Sequence, residues 1–451
     1  MHNHGSLAIL QPVYDKNRLQ FTVDLDGRRR TVHVNYPDFF TVKNDSFASD
    51  IMMSALVTMQ GIFDECIIEL PFRLSERKKN FWCEVYDKYY VYFMARIKRN
   101  LTENRIEFKF SDSIPKNSYS NLESEKHLVS LGMGKDSLLT AGLLSEIYGK
   151  DNVFNVIVNY AKPDWIRKRI SYSKFASLGY KCTRVYSDIN RLRALMIDFV
   201  WPERRVWKPL FYDFGHWVSF LTIPAPLAPF FGAKYIWMGN EIDCTRKSTY
   251  QGRVHYDFLL EQSRFFQEQY TSSEDGLIFS SILTPMYEYA VQKVLVTRYP
   301  QLAELQQSCV SQSPKRTWCC SSCRKCAETY FMLRSLSARI PKGLDSKKIV
   351  DKNPYLALWK RQYETESQND LEITEKSFIH SVAKLQKMRM EDECLRSFIQ
   401  SFGPVSELEE AEALHRNLFY TMPTEVWSKA HPILSKCLSE NEFEDKKYKE
   451  T

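Results

Sequence analysis

The sequence predicts an α/β protein built on a parallel sheet with helices on both faces, and two observations support this prediction. From about residue 126 onward, short apolar segments alternate with helical ones, which is typical of strands joined by crossover helices. Polar or glycine-containing segments follow three predicted strands, at residues 132–137, 159–160 and 239–243. Ligands of such sheets bind beyond the carboxyl ends of the strands, so these segments are the first candidates for a binding site.

Residues 1–120 are predicted to form an N-terminal α+β accessory domain. Apolar residues alternate with others over 21–25 and 32–36, on either side of the hairpin turn signal Asp26-Gly27. A helix at 46–63 and strands at 66–70 and 106–110 are expected to follow. The polar, turn-rich segment 111–125 is expected to be a linker.

Residues 121–338 are predicted to form the central domain, and residues 339–451 a helical C-terminal extension. The elements expected in the central domain are a strand at 126–131, a helix at 137–148, a strand at 153–160, a basic helix at 165–178, a strand at 181–187, an apolar helix after Gly215, a strand at 234–238 and a helix at 286–299.

The composition indicates a soluble globular protein, and the lack of a secretion signal together with the clustered cysteines favours the cytoplasm. Hydrophobic residues make up 44% and charged residues 26% of the chain, as in ordinary soluble domains. The first residues lack the apolar core of a secretion signal. The longest uncharged run, residues 217–233, contains three prolines and is short for a membrane span, so no membrane role is expected.

The net charge of +7 is moderate, but residues 165–208 are locally basic. Such a segment can bind nucleic acid or the phosphates of a nucleotide. A solvated, helix-rich surface explains the same charges equally well.

The segment SLGMGKDS, residues 130–137, resembles a phosphate-binding loop between a strand and a helix. The P-loop pattern GxxxxGK[ST] is excluded because Asp136 follows Lys135 and Val129 stands at the first glycine position. The dinucleotide pattern GxGxxG is excluded because Ser137 replaces its last glycine. A strand–turn–helix without a ligand is the alternative.

The loop nevertheless carries groups suited to an anion. Gly132 and Gly134 let backbone N–H groups approach it, and the following helix N-terminus favours negative charge. Ser137 can donate its hydroxyl, and Asp136 can cap the helix or hold Mg²⁺.

Five of the eleven cysteines lie between residues 309 and 326. Cys320, Cys323 and Cys326 have the spacing of a zinc site, and Cys309 is the predicted fourth ligand, with Cys319 as a spare. Without a secretion signal, a Zn²⁺ site is favoured over disulfides. An iron–sulfur cluster, a catalytic dithiol and free structural cysteines are the alternatives.

The sequence GMGKDS (132–137) resembles the SGG-x-DS loop of the PP-loop ATP pyrophosphatases. The resemblance implies an adenine nucleotide alpha-hydrolase-like core that binds ATP and Mg²⁺, adenylates a substrate and releases pyrophosphate. Gly134, Lys135, Asp136 and Ser137 would bind the β- and γ-phosphates. Met133 stands where the family has its first glycine, so its backbone is expected to avoid conformations that only glycine tolerates.

Residues 126–335 as a whole resemble QueC, the 7-cyano-7-deazaguanine synthase family. The resemblance rests on the loop, on YIWMGNEID (235–243), on SILTPMYEYAVQKVLVTRY (281–299) and on the order of Ser308-Cys309 and the later cysteines. It implies that 7-carboxy-7-deazaguanine is adenylated and that ammonia then gives an amide and finally a nitrile.

Two departures point to a particular branch of that family. FGHW (214–217) stands at the expected substrate motif, and the N- and C-terminal regions have no counterpart in the compact enzyme. The layout is similar to the QueC-like proteins of bacterial antiphage operons, namely QatC of Qat systems and its type IV CBASS counterpart. This resemblance implies a protein acceptor from the same operon, whose N-terminal amine would replace ammonia.

Further site residues are predicted from their positions at strand ends or in the matching segments. Asn159 and Tyr160 are expected to meet adenine, although Tyr160 suits the core equally well. Lys162, Arg167 or Arg169 would offset charge on the α-phosphate. The predicted contacts to the deazaguanine are His216, Trp217, Asn240, Glu241 and Asp243, with a structural histidine and a helix cap as the alternatives.

Two other classes of function remain open. The basic segment supports a tRNA-modifying PP-loop enzyme, which would bind tRNA with a steep salt dependence. The substitutions at Gly132 and Met133 support a non-catalytic protein that binds ATP without turnover.

Overall fold

The computed structural model describes residues 2–43, 46–103, 105–111, 121–160, 162–200, 216–245, 247–256, 267–270, 276–309, 319–341, 343–365, 373–415 and 422–438. These residues form an α/β fold around a large, mostly parallel sheet. The predicted fold class is confirmed at that level, and the arrangement is compatible with a Rossmann-like core. Among these residues, no helix combines the length and the apolar character needed to span a membrane.

Ten strands build the sheet. They are β1 (His2–Asp15), β2 (Arg18–Leu25), β3 (Arg28–Asn35), β4 (Phe63–Leu70), β5 (Arg105–Phe110), β6 (Glu123–Ser130), β7 (Val153–Asn159), β8 (Cys182–Ser187), β9 (Ala233–Trp237) and β12 (Ile278–Ser280). A separate antiparallel hairpin consists of β10 (Lys247–Tyr250) and β11 (Arg253–Tyr256). The strand order across the large sheet is β12-β9-β6-β7-β8-β3-β2-β1-β4-β5.

The order of the parallel strands reverses beside β6. The chain runs from β6 to β7 and β8 on one side, and then returns to β9 and β12 on the other. In sheets of this kind, the crevice at the reversal lies beyond the carboxyl ends of the two strands that flank it and binds ligands. The segments after β6 and β9 therefore meet at the position where a site is expected.

The helices are α1 (Ser46–Gln60), α2 (Glu76–Ile97), α3 (Lys135–Tyr148), α4 (Lys162–Ser177), α5 (Arg191–Phe199), α6 (His216–Thr222), α7 (Leu227–Phe231), α8 (Glu288–Arg298), α9 (Pro300–Ala303), α10 (Arg324–Ser335), α11 (Ser346–Lys352), α12 (Pro354–Thr365), α13 (Ile373–Gln386), α14 (Glu393–Gln400) and α15 (Thr424–Ser435). The described part of the C-terminal region is thus mainly helical, as predicted.

Both faces of the sheet are covered by helices. Successive residues of a strand point to opposite faces, and here both sets are apolar and buried. Leu128 of β6 joins a core that includes α1, α2, α5 and α6. Its neighbour Val129 joins a second core, which includes α3, α8 and α15. The same alternation at Val156 and Ile157 of β7 extends both cores along the sheet.

The N-terminal region continues the central sheet. β3 pairs with β8 in antiparallel register, with Val34 opposite Ser187 and Asn35 opposite Tyr186. At the other end, a third apolar core joins Cys320 and Cys326 to Trp359 and other residues of the C-terminal helices. The three-domain division stays a prediction, and these two features cross its boundaries at 120 and 338.

Several elements escaped the sequence prediction, and α2 is the largest. Its N-cap is Ser75, whose hydroxyl accepts a hydrogen bond from the backbone of Lys78. Its buried residues recur with helical spacing, from Phe81 and Trp82 through Val85 to Phe93. This pattern was available in the sequence, so α2 was predictable. The strand β1 and the hairpin β10–β11 were also not predicted.

A buried polar cluster connects α1, α2 and residue 270. Lys78 Nζ lies 2.7 Å from Oδ2 of Asp50, and it donates to Oγ of Ser46 at 2.9 Å. The indole of Trp82 and the hydroxyl of Tyr270 also donate to the Asp50 carboxylate, at 3.0 and 2.9 Å. Because these charged groups are paired and hydrogen-bonded, the cluster is a structural support of the N-terminal region.

Candidate functional site

The loop after β6 delivers a helix N-terminus to the reversal. Leu131 continues the β6 pairing by donating its N–H to the carbonyl of Val156 at 2.8 Å. The N-cap of α3 is Gly134, in extended conformation and without a side-chain capping bond. The first N–H groups of a helix have no partner inside it and carry a partial positive charge. This end of α3 is therefore suited to an anion.

Ser137 closes the loop on itself. Its Oγ accepts the N–H of Gly132 at 3.1 Å and donates to the carbonyl of Gly134 at 3.3 Å. A Cβ on Gly132 would meet only this Oγ, at 3.9 Å, and one on Gly134 only Oδ2 of Asp136, at 4.0 Å. The chain itself therefore does not require glycine at these two positions; a requirement would come from a ligand that approaches the backbone.

Met133 adopts a backbone conformation that favours glycine, although the sequence predicted that its Cβ would prevent this. Its φ is +63°, in the left-handed region that favours glycine and costs other residues about 1–2 kcal/mol. The side chain is fully buried in the core shared with α3 and α8, a gain of about 1.5–3 kcal/mol. The Met133 carbonyl also accepts the N–H of Gln307 at 2.8 Å. Packing and this bond explain how methionine holds the conformation.

Lys135 lies in the centre of a carboxylate cluster. It is 5% exposed, and its Nζ lies 2.6 Å from Asp136 Oδ1, 3.0 Å from Glu241 Oε2 and 3.6 Å from Glu288 Oε1. Burial alone would lower the pKa of Lys135, but the three carboxylates raise it well above its ordinary value. The residue is therefore a cation at neutral pH.

The pKa values of the two buried glutamates beside Lys135 are shifted in opposite directions. Burial raises the pKa of Glu241 well above its usual range, against the attraction of Lys135. Burial would also raise the pKa of Glu288, but Lys325 and Lys135 bring it below its ordinary value. Lys135 and Lys325 are the cations that lie beside the buried carboxyl groups of Glu241 and Glu288.

Gly239 brings the segment after β9 against the loop. A Cβ at this position would lie 2.7 Å from Cβ of Asp136 and 3.0 Å from the backbone nitrogen of Ser137. Backbone N–H of Ile242 then donates to the carbonyl of Met286 at 3.1 Å, which holds this segment beside the start of α8. Close approach at Gly239 thus places Glu241 next to Lys135.

Asn240 has a fixed backbone and an unsatisfied side chain. Its N–H donates to Oγ of Ser281 at 3.0 Å, and Ser281 Oγ donates back to its carbonyl at 2.6 Å. The side chain is fully buried, and within the described part of the chain neither Oδ1 nor Nδ2 has a hydrogen-bond partner. Buried amides are normally paired, so this amide is a candidate ligand contact.

The cysteines converge as predicted. The sulfur atoms of Cys309, Cys320, Cys323 and Cys326 all lie within 4.8 Å of one another, and Cys319 does not belong to the group. Four clustered thiols, mostly buried, fit a closed tetrahedral site for a metal such as Zn²⁺. Hydrogen bonding to Cys309 and Cys326 raises the pKa of the Cys323 thiol, and a bound cation would reverse that shift.

The backbone around the four thiols is supported from the C-terminal helices. Lys348 Nζ donates to the carbonyl of Cys320 at 2.8 Å, and Asn353 Nδ2 donates to that of Cys323 at 3.1 Å. Cys323 is the N-cap of α10, so the cluster fixes the start of that helix. Metal coordination would thus position the first turn of α10.

A second group, His380, Glu407 and Glu412, also brings possible metal ligands together. Glu412 already pairs with Lys293 and Lys384, and Glu407 lies 2.6 Å from Nζ of Lys387. These cations make the group an ion-pair network rather than a metal site.

The other predicted site residues differ in burial and in how much of each residue the structure describes. Asn159 ends β7 and is buried. Tyr160 is also buried, with its ring 4.7 Å from that of Phe220, in an edge-on contact of the core. The structure describes the backbones of Lys162, Arg167, His216, Trp217 and Asp243, but it does not describe their side chains. Arg169 is exposed on α4.

Of the predicted residues with described side chains, Gly134, Lys135, Asp136, Ser137, Asn240 and Glu241 come together at the reversal. The sequence interpretation overlooked Gly239 as a steric requirement and Glu288 as a partner of Lys135. The position of Gly239 at the end of a predicted strand could have indicated its role. No local pattern indicates Glu288, because it lies on a helix about 150 residues after Lys135.

Fold and site together define an α/β protein with a loop suited to anions at the sheet reversal and an adjoining four-cysteine cluster. Comparison of the chain with protein-family models, with curated proteins and with solved structures finds no match in any of the three.

Proposed function

We propose that the chain binds ATP at the reversal between β6 and β9 and adenylates a carboxylic acid, with release of pyrophosphate. The observation that carries the proposal is the convergence of Lys135, Asp136 and Ser137 at an uncapped helix N-terminus. Backbone N–H groups and a buried cation in such a position favour the phosphates of a nucleotide.

Each loop residue would then have a distinct role. Lys135 would exchange its carboxylate partners for oxygens of the β- and γ-phosphates. Ser137 would release the carbonyl of Gly134 and donate to a phosphate instead. Asp136 would hold Mg²⁺, which supplies charge neutralisation for the leaving pyrophosphate.

The proposed reaction has two steps. A carboxylate oxygen of the substrate attacks the α-phosphorus, the bond to the bridging oxygen breaks, and pyrophosphate leaves. An amine then attacks the acyl carbon of the adenylate, AMP leaves with the bonding electrons, and the amine loses a proton to form an amide. The helix N-terminus and Lys135 offset the charge that builds up on the phosphates during the first step.

The proposed acid is 7-carboxy-7-deazaguanine. The sequence resemblance over residues 126–335 supports this substrate, as does the order of the loop and the four cysteines. The buried amide of Asn240 offers both donors and an acceptor, which complements the amide edge of a guanine-like base. Glu241 follows directly and carries the carboxyl group suited to the amino edge.

The proposed acceptor is the N-terminal amine of a protein partner in antiphage defence, and ammonia is the alternative. The additional N- and C-terminal regions support a protein acceptor, because the compact deazaguanine synthases need neither. Ammonia would lead to the free nitrile, so the two acceptors give products of different mass.

The test is pyrophosphate release with ATP, Mg²⁺ and 7-carboxy-7-deazaguanine, each omitted in turn. Release that requires the deazaguanine and disappears in Asp136→Ala would support the adenylation step. Asp151→Ala is the matched control, because Asp151 is exposed at the opposite end of α3. Lack of release at any concentration would refute the activity. Intact mass spectrometry then separates a protein amide from the nitrile.

A nucleotide-binding protein without turnover is the second candidate. One observation favours it: Lys135 already has three carboxylates within 3.6 Å. Such a lysine is costly to free for catalysis. ATP binding with no pyrophosphate release, for any deazaguanine or tRNA substrate offered, would support this candidate.

A further inference from the structure

The four-cysteine cluster and the phosphate loop are connected by one lysine. Lys325 lies in the first turn of α10, between Cys323 and Cys326. Its Nζ hydrogen-bonds to Oε1 of Glu288 and lies 2.9 Å from Oε2 of Glu328. The cluster therefore holds the backbone of a residue whose ammonium group reaches a partner of Lys135.

Glu288 is shared between the two lysines. It is 1% exposed, and the same Oε1 that meets Lys325 lies 3.6 Å from Nζ of Lys135. A buried carboxylate requires a compensating cation. If Lys325 were absent, Lys135 alone would have to compensate Glu288 in addition to Asp136.

The two lysines thus have different tasks. Lys325 contacts Glu288 and Glu328, whereas Lys135 belongs to the loop itself and lies beside Asp136. Lys293, the lysine of the α8 segment that resembles the deazaguanine enzymes, pairs with Glu412 instead. Lys325 is therefore the cation that compensates the charge of Glu288, so that Lys135 does not have to.

We propose that Lys325 is a positioning residue that neutralises Glu288, so that Lys135 remains available for a nucleotide phosphate. Through Lys325, occupation of the four-cysteine cluster by a metal ion strengthens ATP binding. This inference rests on the proposed ATP site, but it does not depend on which acid is adenylated. A metal that held only the local fold would not change nucleotide affinity through a single side chain.

A second contact also connects the cysteine segment to the loop. The N–H of Gln307, two residues before Cys309, donates to the Met133 carbonyl inside the loop at 2.8 Å. The cysteine segment is thus anchored to the loop at one end and to Glu288 at the other. Only the contact at Glu288 brings a charge to a partner of Lys135, so the effect of the metal on ATP affinity is expected to depend on Lys325.

The test measures the affinity for ATP in the presence of Mg²⁺, by calorimetric titration of the full chain. Lys325→Met is expected to weaken binding by about tenfold or more, a change of about 1.4 kcal/mol or more. Lys325→Arg keeps the charge and is expected to retain most of the affinity. Lys347→Met is the matched control, because Lys347 is exposed on α11 near the same cluster.

Charge compensation and metal removal provide the decisive comparisons. The double variant Lys325→Met/Glu288→Gln is expected to recover ATP affinity, since the unpaired carboxylate is gone. Removing the metal from the wild-type chain with a chelator is expected to weaken binding as much as Lys325→Met does. In the Lys325→Met variant the chelator should add little. Zinc content and thermal stability of each variant are measured in parallel.

Equal ATP affinity in the wild type and Lys325→Met would overturn the inference, and so would a failed recovery in the double variant. Loss of zinc from Lys325→Met would also overturn it, because the lysine would then serve the cluster itself. If ATP binding responds as expected but no pyrophosphate is released with the deazaguanine, only the proposed activity fails. If the wild type does not bind ATP, both fail.

Discussion

Gly239 lies against Asp136 so closely that a Cβ at Gly239 would stand 2.7 Å from Cβ of Asp136 and 2.9 Å from its carbonyl carbon. Neither neighbour is a flexible side-chain end, so backbone would have to move to admit a larger residue. The contact joins the carboxyl end of β9 to the start of α3, which is the junction on which the candidate site depends.

Gly239→Ala is accordingly expected to lower the free energy of unfolding by about 1–3 kcal/mol, the usual cost of overpacking, and to weaken ATP binding. Gly132→Ala is the control, since its Cβ would meet only Ser137 Oγ at 3.9 Å. Urea denaturation of both variants checks the prediction. Equal stability of the two variants would show that the β9 segment can withdraw from the loop.

The four-cysteine cluster predicts that substitution of Cys309 and substitution of Cys319 have different effects on bound zinc. Cys309→Ser is expected to lose bound zinc and to lower the melting temperature, because the group of four thiols becomes three. Cys319→Ser is expected to keep one zinc per chain, because Cys319 lies outside that group. Metal analysis of the purified variants decides, and zinc loss from Cys319→Ser would reverse the assignment.

The buried histidine of β6 predicts a pH dependence. His127 is fully buried, and its Nδ1 accepts the indole N–H of Trp237 at 2.9 Å. Burial, with a contribution from Lys429, lowers the pKa of His127 to about 3. The unfolded chain binds this proton near pH 6.5, whereas the folded chain does not bind it until about pH 3.

Below pH 6.5 the unfolded state therefore binds more protons at this residue, and stability falls by about 1.4 kcal/mol per pH unit down to about pH 3. In His127→Gln, the decline between pH 6.5 and 4.5 is expected to be shallower by about 2–3 kcal/mol. Urea denaturation across this range measures it. The exposed His4 supplies the control, His4→Gln. Parallel curves for all three proteins would contradict the assignment.

Two adjacent lysines of α2 predict opposite outcomes. Lys78 is buried and lies 2.7 Å from Asp50, whereas Lys79 is partly exposed and 4.0 Å from Glu76. Lys78→Met leaves a buried carboxylate without its cation and is expected to cost about 3–5 kcal/mol. Lys79→Met is expected to change stability by less than about 0.5 kcal/mol. Denaturant titration compares them, and similar values would mean that water reaches Asp50.

The sequence predicts those parts of the fold and site that depend on local patterns. The strand, loop and helix from 123 to 148 lie within three residues of the predicted bounds, because apolar periodicity and glycine placement are local signals. The sequence favours Cys309 as the fourth thiol but leaves Cys319 open, and the structure groups Cys309 with the other three. The ATP, Mg²⁺ and deazaguanine assignments stay predictions.

What the sequence does not reveal is how distant segments meet. Glu288 and Lys325 become partners only because α8 and α10 pack beside the loop, and their neighbours in the chain give no sign of it. The pairing of β3 with β8 joins residues about 150 positions apart, which no local window contains. At Met133 a local rule gave the wrong prediction. A residue with a Cβ was expected to avoid positive φ, but burial and the bond to Gln307 stabilise that conformation.

The pairing of β3 with β8 also has a consequence for the order of events during synthesis. β3 emerges from the ribosome with one edge unpaired, and β8 follows only after about 150 further residues. At about 5–20 residues per second, this interval lasts about 8–30 seconds. During that time the N-terminal strands present an open edge to any other chain nearby. The nascent protein is therefore most prone to mispairing before residue 187 has been translated, and slower translation of the first half would lengthen that exposure.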